Sequence, residues 1–428
     1  MRDAERDRIL LNIDRQETVA LECGLVEIPS FTTEEAEIAK FIHGQMRSFD
    51  LEASLQEVPL ESGNVSYNVI GRLRGSGQGP TLLLFGHMDT SPILGRQFAS
   101  LDTWKREPFK PSIEGEWLYG YGCHDEKGGL CSMVTAAKAL VRSGFKPKGD
   151  VYFVAVQGHK RISSGTLHLL RSGFRADYAV NTENSGNAVV PTWVGRAEGK
   201  LHIREPEEPE LHFHSKEQIP ELRNRKSAFE HLQQLLRALG PEMAPPGPNT
   251  WMTFAVTPGL EGYPQIRIEM IHFHRLTHLE LSFQVRIVPG QTDDTIRADL
   301  ERLIRREQQV DPHFRVDVEW PSWLTRPAGH TPSSNPLVQT FARWHEFVAG
   351  EPPDVGTGGR LGAAADASHI VGHLNIPTIL YGPGGGMTDL ENDRRVVLGE
   401  VEPDERVRID DIVTAAKVYA LSAADLCG

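Results

Sequence analysis

Apolar residues follow two different rhythms along this chain. In the first half, and again near the C-terminus, short continuous apolar runs such as Val151–Val156 alternate with segments of helical periodicity such as Leu130–Ser143. A continuous apolar run is typical of a strand buried on both faces, and helices between such strands favour a parallel sheet covered on both sides. The other strands that this pattern predicts are Tyr67–Leu73, Thr81–Phe85, Tyr178–Asn181 and Thr378–Tyr381.

The rhythm changes near Gly195. Leu279–Val288 alternates apolar and polar residues, which predicts a half-exposed antiparallel strand. Lys226–Leu239 and Thr292–Arg306 both have helical periodicity. Strands that alternate in this way, mixed with helices, predict a small α+β module within the larger sheet domain.

These patterns predict an α/β fold with two domains. Residues 1–196 and 316–428 are expected to form a doubly wound sheet domain, and residues 197–315 an inserted α+β domain. Val316–Glu319 is interpreted as the strand that leads back into the sheet domain.

Composition and charge exclude several classes of function. A hydrophobic fraction of 39% and a charged fraction of 24% are typical of a globular protein in water. The net charge of −13 argues against nucleic acid as a partner, and no apolar run has the length of a membrane span. The charged N-terminus does not read as a secretory signal, and the four cysteines lack the spacing of a disulfide framework, so a cytoplasmic location is expected.

Several candidate metal ligands follow predicted strands or lie in a glycine-rich turn. His87 follows an apolar strand, and Asp89, two residues later, could orient its imidazole through the other ring nitrogen. Asp125 lies in the glycine-rich turn before a helix, and Glu183 follows the strand Tyr178–Asn181. These side chains are expected at the carboxyl edge of the sheet, where open α/β sheets place their sites. A strand-end histidine bonded to a carboxylate and an aspartate that caps a helix are the alternatives.

Motifs spread over most of the chain resemble a known family. They are LLLFGHMDTSP at residues 82–92, the block at residues 103–129 that ends in GYGCHDEKGG, IPTILYGPG at 376–384, and PDERVRI at 403–409. Together they resemble the zinc-dependent aminoacylases, carboxypeptidase G, acetylornithine deacetylase and succinyl-diaminopimelate desuccinylase. The resemblance implies a zinc-peptidase α/β domain interrupted by a small lid through which the protein dimerises.

In that family two metals share one bridging aspartate, which corresponds to Asp125. The resemblance implies that His87 and Glu183 hold one of these metals together with it. The other metal requires the second residue of a Glu-Glu pair and a late histidine, which correspond here to Arg161 and Val401. One sub-site is therefore expected to be intact and the other to be altered.

The first Glu of that pair is the family's general base, and this position corresponds to Lys160. Lys160 could stabilise an anionic group, or act as a base if burial lowered its pKa. Arg161 cannot bind a cation, but its guanidinium could take the vacated cation position and pair with Asp125. A solvated basic turn is the alternative for both residues. His159 and His124 are near in sequence and could replace the missing base or ligand.

Three further residues are assigned to substrate binding. His214 resembles the family's lid histidine that reaches a partner subunit, and Arg360 and Asp366 lie in or near a glycine-rich loop that helps bind a substrate carboxylate in the family. Another cluster, His272, His274 and His278, is interpreted as a packed or solvated strand, because no acidic partner follows at ligand spacing.

The sequence thus predicts a metal-dependent amide hydrolase or deacylase with an incomplete site. The expected cofactor is one zinc ion per chain, or none, and the expected substrate is an N-acyl amino acid or a peptide-like amide. A homodimer through the inserted domain is expected, without nucleic-acid or membrane partners. The alternative is a non-hydrolytic descendant, either a binding protein or an enzyme of changed chemistry such as acyl transfer, that uses Lys160 and Arg161 in place of the base and one metal.

Overall fold

The computed structural model describes residues 1–91, 104–160, 162–204, 226–240, 251–255, 257, 264–275, 278–321, 325–356, 365–386 and 404–428. The α-helices in these ranges are α1 (Asp3–Leu10), α2 (Arg15–Val26), α3 (Ala36–Ser48), α4 (Gly128–Arg142), α5 (Ser164–Arg171), α6 (Ala228–Leu239), α7 (Asp293–Val310), α8 (Pro336–Ala349), α9 (Ala365–Leu374) and α10 (Ile409–Cys427). None of these described helices is long and apolar enough to cross a membrane.

The strands in the same ranges form separate sheets in two compact units. They are β1 (Glu52–Pro59), β2 (Val65–Leu73), β3 (Leu82–His87), β4 (Ser112–Glu114), β5 (Trp117–Tyr119), β6 (Val151–Val156), β7 (Tyr178–Asn181), β8 (Thr192–Trp193), β9 (Gly195–Arg204), β10 (Gln265–Arg275), β11 (His278–Ile287), β12 (Val316–Glu319), β13 (Gly329–His330), β14 (Thr378–Leu380), β15 (Gly385–Gly386) and β16 (Arg406–Arg408).

The first unit comprises Met1–Trp193 and Gly329–Gly428 and contains a six-stranded sheet in the order β1-β2-β6-β3-β7-β14. Strands β6, β3, β7 and β14 are parallel, and β2 and β1 extend this sheet antiparallel at one edge. The parallel core brings the carboxyl ends of β6, β3 and β7 to one edge of the sheet, side by side.

Strand β3 shows why its sequence is apolar from Leu82 to Phe85. Leu82 and Leu84 belong to a hydrophobic cluster that includes residues of α4 and α10. Leu83 and Phe85 belong to a second cluster that includes residues of α5 and α9. Because side chains alternate across a strand, burial by helices on both faces leaves no polar position. The predicted doubly wound α/β sheet is confirmed.

Two parts of the first unit have no counterpart in the sequence prediction. Strand β1 forms the sheet edge and is mostly exposed or half-buried, so its sequence lacks a clear apolar alternation. Strands β4, β5, β15 and β16 form a small separate sheet of two- and three-residue strands, which are too short to show any period.

The second unit comprises Val194–Ala328 and has a four-stranded sheet in the order β10-β11-β9-β12, with all neighbours antiparallel. Helices α6 and α7 contribute to the hydrophobic cluster on one face of this sheet, through residues such as Leu235 and Leu300. Each helix begins with a capping box, at Ser227 and at Thr292.

The boundaries of this unit differ from the sequence expectation. Val316–Glu319 was predicted to lead back into the first domain, but as β12 it pairs with β9 of the second unit, from Val316 opposite Ile203 to Glu319 opposite Lys200. The chain leaves the second unit only after Ala328. A four-residue strand carries no mark of which sheet it joins, so the sequence alone could not place it.

Candidate metal centre

His87 is the last residue of β3 and is fully buried at the carboxyl edge of the parallel strands. Its Nε2 lies 2.9 Å from Oδ1 of Asp125 and 3.7 Å from Oε1 of Glu183. Its Nδ1 lies 2.8 Å from the backbone carbonyl oxygen of Asp89. That carbonyl can only accept a hydrogen bond, so Nδ1 carries the hydrogen and Nε2 is the nitrogen directed towards the two carboxylates.

The carboxylate of Asp89 has a different role from the predicted one. It was expected to orient the His87 imidazole, but its Oδ1 is 3.6 Å from Nδ1 of that ring. Its oxygens instead accept the backbone N–H groups of His159 at 2.8 Å and Lys160 at 3.0 Å, and the hydroxyl of Thr32 at 2.9 Å. The backbone of Asp89 therefore fixes His87, while its side chain fixes the basic turn after β6.

That turn places His159 beside His87. The two imidazole rings stack with centroids 4.1 Å apart, and His159 Nδ1 lies 3.8 Å from Oε1 of Glu183. His159 Nδ1 also lies 2.7 Å from Oδ2 of Asp366. Asp366 is fully buried, and its other oxygen accepts the hydroxyl of Thr166 at 2.7 Å. The carboxylate of Asp366 thus fixes the orientation of the His159 ring.

His87, His159 and Glu183 form a group that could hold a metal ion. One ligand atom from each of these residues lies within 4.8 Å of the others, and this is the one such group among the residues that the structure describes. Two imidazoles and a carboxylate are a ligand set that suits zinc, and each imidazole has its Nδ1 fixed by an acceptor. The donor chemistry of the described residues therefore fits a zinc ion.

Asp125 is shared between His87 and a lysine. Its Oδ1 lies 2.9 Å from His87 Nε2, and its Oδ2 accepts a hydrogen bond of 2.6 Å from Nζ of Lys160. The backbone N–H groups of Gly122, His124 and Asp125 donate to the carboxylate of Glu405, at 2.7, 3.0 and 3.0 Å. Glu405 therefore holds the turn that presents Asp125.

The charges around Lys160 determine what its side chain can do. Burial disfavours the ammonium, but the carboxylates of Asp125 and Glu183 outweigh burial and raise the pKa of Lys160 above its usual value. Burial likewise disfavours the Asp125 carboxylate, yet Lys160 and His87 hold the pKa of Asp125 well below its usual value. The pair is therefore ionised, and burial does not lower the pKa of Lys160 as its suggested role as a base would require.

Comparison with known proteins then identifies the family. A family model described as Peptidase family M20/M25/M40 matches residues 83–425. The chain belongs to this peptidase family. Its members hydrolyse amide bonds with the help of bound metal, so the prediction of a metallopeptidase-like hydrolase is confirmed.

Individual relatives of this M20 chain are distant but match along most of its length. N-formyl-4-amino-5-aminomethyl-2-methylpyrimidine deformylase of Bacillus subtilis (strain 168) is 24% identical over 372 residues, which is 82% of this chain and 81% of the relative. A probable succinyl-diaminopimelate desuccinylase of Staphylococcus aureus (strain MRSA252) is 23% identical, over 96% of this chain and 99% of the relative.

Solved structures of the family share the fold. Aminopeptidase PepT from Bacillus cereus ATCC 10987 has a TM-score of 0.70 at 18% identity, covering 97% of this chain and 100% of that chain. The M20 family metallo-carboxypeptidase Sso-CP2 from Sulfolobus solfataricus has a TM-score of 0.63 at 16% identity, covering 95% of this chain and 98% of that chain.

The structure places two more of the predicted site residues of this M20 member, Asp366 and His124. Asp366, assigned to substrate binding, instead has both carboxylate oxygens engaged inside the protein. His124 is buried, its Nδ1 lies 3.1 Å from the side-chain amide of Asn184, and burial lowers its pKa to about 4. It is therefore neutral and packed, and its suggested role as a replacement base or ligand stays a prediction. The predictions for Arg161, His214, Arg360 and Val401 lie outside the described residues.

Sequence reasoning missed the part played by Glu405. The PDERVRI motif that contains it was used only to support the family resemblance. A glutamate four residues before the start of α10 carries no signal that its carboxylate accepts three backbone N–H groups from a turn about 280 positions away. Burial, together with the Asp125 charge, raises the pKa of Glu405 to about 7 against the lowering effect of these N–H groups.

Proposed function

We propose that this chain hydrolyses the amide bond of an N-acyl amino acid or a short peptide with one zinc ion held by His87, His159 and Glu183. The observation that carries the proposal is the convergence of these three ligands within 4.8 Å. Asp125, which the sequence assigned as a ligand, contacts the same His87 nitrogen but has its second oxygen bound by Lys160. We therefore assign Asp125 mainly to the pair with Lys160.

The single-metal assignment rests on the ammonium of Lys160. In the family resemblance a second cation would lie on the far side of Asp125. Here Lys160 Nζ donates to Asp125 Oδ2 at 2.6 Å and stays charged. An ammonium at that oxygen repels a divalent ion and satisfies the carboxylate that would bind it. We therefore assign to Lys160 the role suggested for the Arg161 guanidinium, which was to take the vacated cation position and pair with Asp125.

Each residue has a distinct part in the proposed reaction. When bound, zinc supplies a Lewis acid that polarises the carbonyl group of the scissile amide. His87 and His159 hold their metal-facing orientations through the Asp89 carbonyl and the Asp366 carboxylate. Lys160, whose side chain is 21% exposed, provides a fixed positive charge that stabilises negative charge developing on the substrate.

The substrate class is supported by what the relatives have in common. These relatives include a deformylase, a probable desuccinylase, an aminopeptidase and a metallo-carboxypeptidase. We take from these names the removal of an acyl group or a terminal residue from an amide nitrogen. The proposed substrate class, an N-acyl amino acid or a short peptide, is based on this shared chemistry alone.

Metal analysis tests the proposal first. Protein prepared without chelator is dialysed against zinc, and bound zinc per chain is measured by elemental analysis. We expect His87→Ala, Glu183→Ala and the double variant each to lose the same single zinc, with loss of hydrolysis in a screen of N-acyl amino acids. A loss of two zinc ions would mean a two-metal site. No loss of zinc would overturn the metal assignment and favour the non-hydrolytic alternative.

The predicted homodimer remains a proposal and rests on the second unit. Strand β10 is an edge strand, and its Met270 and Phe273 are 51% and 58% exposed. Phe273 stacks on Phe229 of α6, which is itself 42% exposed, at a centroid distance of 5.4 Å. An exposed apolar edge of this kind fits a second copy of the chain. Sedimentation of wild type and of Phe273→Asp tests this, since a monomeric wild type would refute it.

A further inference from the structure

The polar face of the second sheet carries a group of histidines on three adjacent strands. His202 lies on β9, His274 on β10, and His278 on β11, where Glu280 follows two residues later. These four residues are referred to below as the sheet-face cluster. They belong entirely to the second unit and share no residue with the site around His87.

The strand register explains why these side chains meet. Glu280 is paired across the sheet with His202 on one side and with His272 on the other. His278 precedes Glu280 by two residues and therefore points to the same face. A register shift between Phe273 and Arg275 interrupts the pairing of β10 with β11, and His274 lies at this irregularity. Neither cross-strand pairing nor a register shift can be read from the sequence.

Imidazole nitrogens and one carboxylate oxygen form a chain of pairwise contacts in the cluster, which does not bring three ligand atoms within 4.8 Å of one another as the group around His87 does. His202 Nδ1 lies 3.3 Å from His278 Nε2 and 3.9 Å from Oε2 of Glu280. His274 Nε2 lies 3.2 Å from the same Oε2, and the His274 and His278 rings stack at 4.8 Å. Glu280 is therefore the acidic partner of these histidines, which the sequence analysis did not identify.

Neighbouring groups occupy the outward-facing atoms of His202 and Glu280, so the inward-facing atoms contact only other members of the cluster. His202 Nε2 lies 3.1 Å from Oε2 of Glu319, so the ring hydrogen belongs on Nε2 and Nδ1 keeps its lone pair. Lys200 Nζ lies 2.9 Å from Oε1 of Glu280, which leaves Oε2 directed towards the imidazoles. Metal-binding histidines typically donate their other ring N–H to an acceptor, and metal-binding carboxylates are typically hydrogen-bonded in turn. His202 with Glu319 and Glu280 with Lys200 have these two kinds of contact.

We propose that the sheet-face cluster binds a divalent transition-metal ion of the zinc class through His202, His274, His278 and Glu280. Three imidazoles and one carboxylate suit zinc, copper or nickel, and not the oxygen-seeking ions magnesium and calcium. The contacts of 3.2, 3.3 and 3.9 Å link the four residues in a chain. Binding requires side-chain rotations, above all of His274, whose side chain is 49% exposed, that turn this chain into a closed set around the ion.

Metal binding there would join three strands of the second unit. An ion that binds only the folded unit stabilises it in proportion to the logarithm of its concentration over its dissociation constant. We therefore assign to this site a stabilising role for the sheet β10-β11-β9, distinct from the hydrolytic reaction of the first unit.

The experiment measures zinc binding to the full chain. Metal-free wild type, His278→Ala, and His313→Ala are dialysed against the same low free zinc concentration, and bound zinc per chain is measured. His313 is an exposed histidine of the same unit and serves as the matched control. We expect His278→Ala to bind one zinc fewer than wild type and His313→Ala to bind as much as wild type. Glu319→Gln should weaken this zinc by about tenfold or more, because it removes the acceptor behind His202.

The outcomes separate this site from the one around His87. His87→Ala should retain the zinc of the sheet-face cluster, and His87→Ala combined with His278→Ala should lose both ions. Circular dichroism checks that each variant is folded. A fall of zinc affinity in His278→Gln, which keeps a polar side chain of similar size, excludes a packing effect. Equal zinc binding by wild type, His278→Ala and His278→Gln would overturn the proposal.

Discussion

The candidate metal centre and the sheet-face cluster use the same residue types in two different surroundings. At the centre, His87 is fully buried, and the side chain of His159 is 13% exposed. In the cluster, His202 is 11% exposed but His274 is 49% exposed. The carboxyl ends of adjacent parallel strands and the loops after them enclose the centre, whereas cross-strand neighbours on one sheet face form the cluster. Enclosure fixes ligand orientation, and an open face leaves it adjustable.

The same contrast holds for one lysine–carboxylate pair in each region. Lys160 contacts Asp125 at 2.6 Å, and these side chains are 21% and 31% exposed. Lys200 contacts Glu280 at 2.9 Å, and the lysine is 43% exposed. A similar contact is expected to contribute far more where both charges are withdrawn from water, because the unpaired partner then loses its solvation.

The largest effect is expected from His159→Ala, which tests the ligand set itself. If His159 is a ligand, its loss removes the zinc of the first unit and reduces hydrolysis to background, because the remaining His87 and Glu183 leave too few donors. Zinc content and turnover are measured on the same preparation.

His373→Ala is the matched control, because His373 is an exposed histidine on α9 of the same unit. It should keep both zinc and activity. Retention of zinc by His159→Ala, with loss in Asp125→Asn, would restore the ligand set that the sequence predicted, namely His87, Asp125 and Glu183.

The next largest effect is expected from Lys160→Met and concerns stability, measured on metal-free protein by urea unfolding. The substitution removes the ammonium that donates to Asp125 Oδ2 and leaves a charged carboxylate without that partner, and we expect a loss of about 2 kcal/mol in the free energy of unfolding. Lys40→Met is the control, since Lys40 pairs with Glu37 at 2.7 Å while both side chains are more than half exposed. An equal effect of both substitutions would show that enclosure does not distinguish these pairs.

The sequence predicted the first unit well, and the reason is physical. Strands buried on both faces must be largely apolar, so β3, β6 and β7 could be read directly, and His87 and Glu183 were placed at the ends of β3 and β7. Contacts between distant segments leave no such pattern. The bond from His159 to Asp366 spans 207 positions, and the sequence assigned Asp366 to substrate instead.

The second unit was harder to predict because its edges are short and polar. Strand β12 has four residues, and its pairing with β9 was not foreseen. The histidines of β10 and β11 were visible in the sequence, yet Glu280 was not recognised as their partner. The acidic residue lies only two positions after His278, but its closeness to His202 depends on the strand register.

Asp366→Asn is expected to have an intermediate effect at the metal centre. An amide at this position accepts the His159 ring hydrogen more weakly than a carboxylate, so zinc affinity should fall about ten- to hundredfold. Competition with a chromophoric chelator measures the affinity. Thr166→Val, which removes only the hydroxyl that supports Asp366, should change the affinity less. Unchanged affinity in Asp366→Asn would place His159 outside the ligand set.

The smallest effect is expected from Lys200→Met, the counterpart of Lys160→Met on the open sheet face. The hydrogen bond from Lys200 lowers the pKa of Glu280 to about 2, with help from His274 and against the effect of desolvation. Because the ammonium is 43% exposed, water replaces most of the interaction when the lysine is lost. We expect a change of less than about 0.5 kcal/mol in the free energy of unfolding, measured by the same urea titration at neutral pH. A loss as large as that of Lys160→Met would mean that the sheet face is enclosed in solution, and the contrast between the two regions would no longer hold.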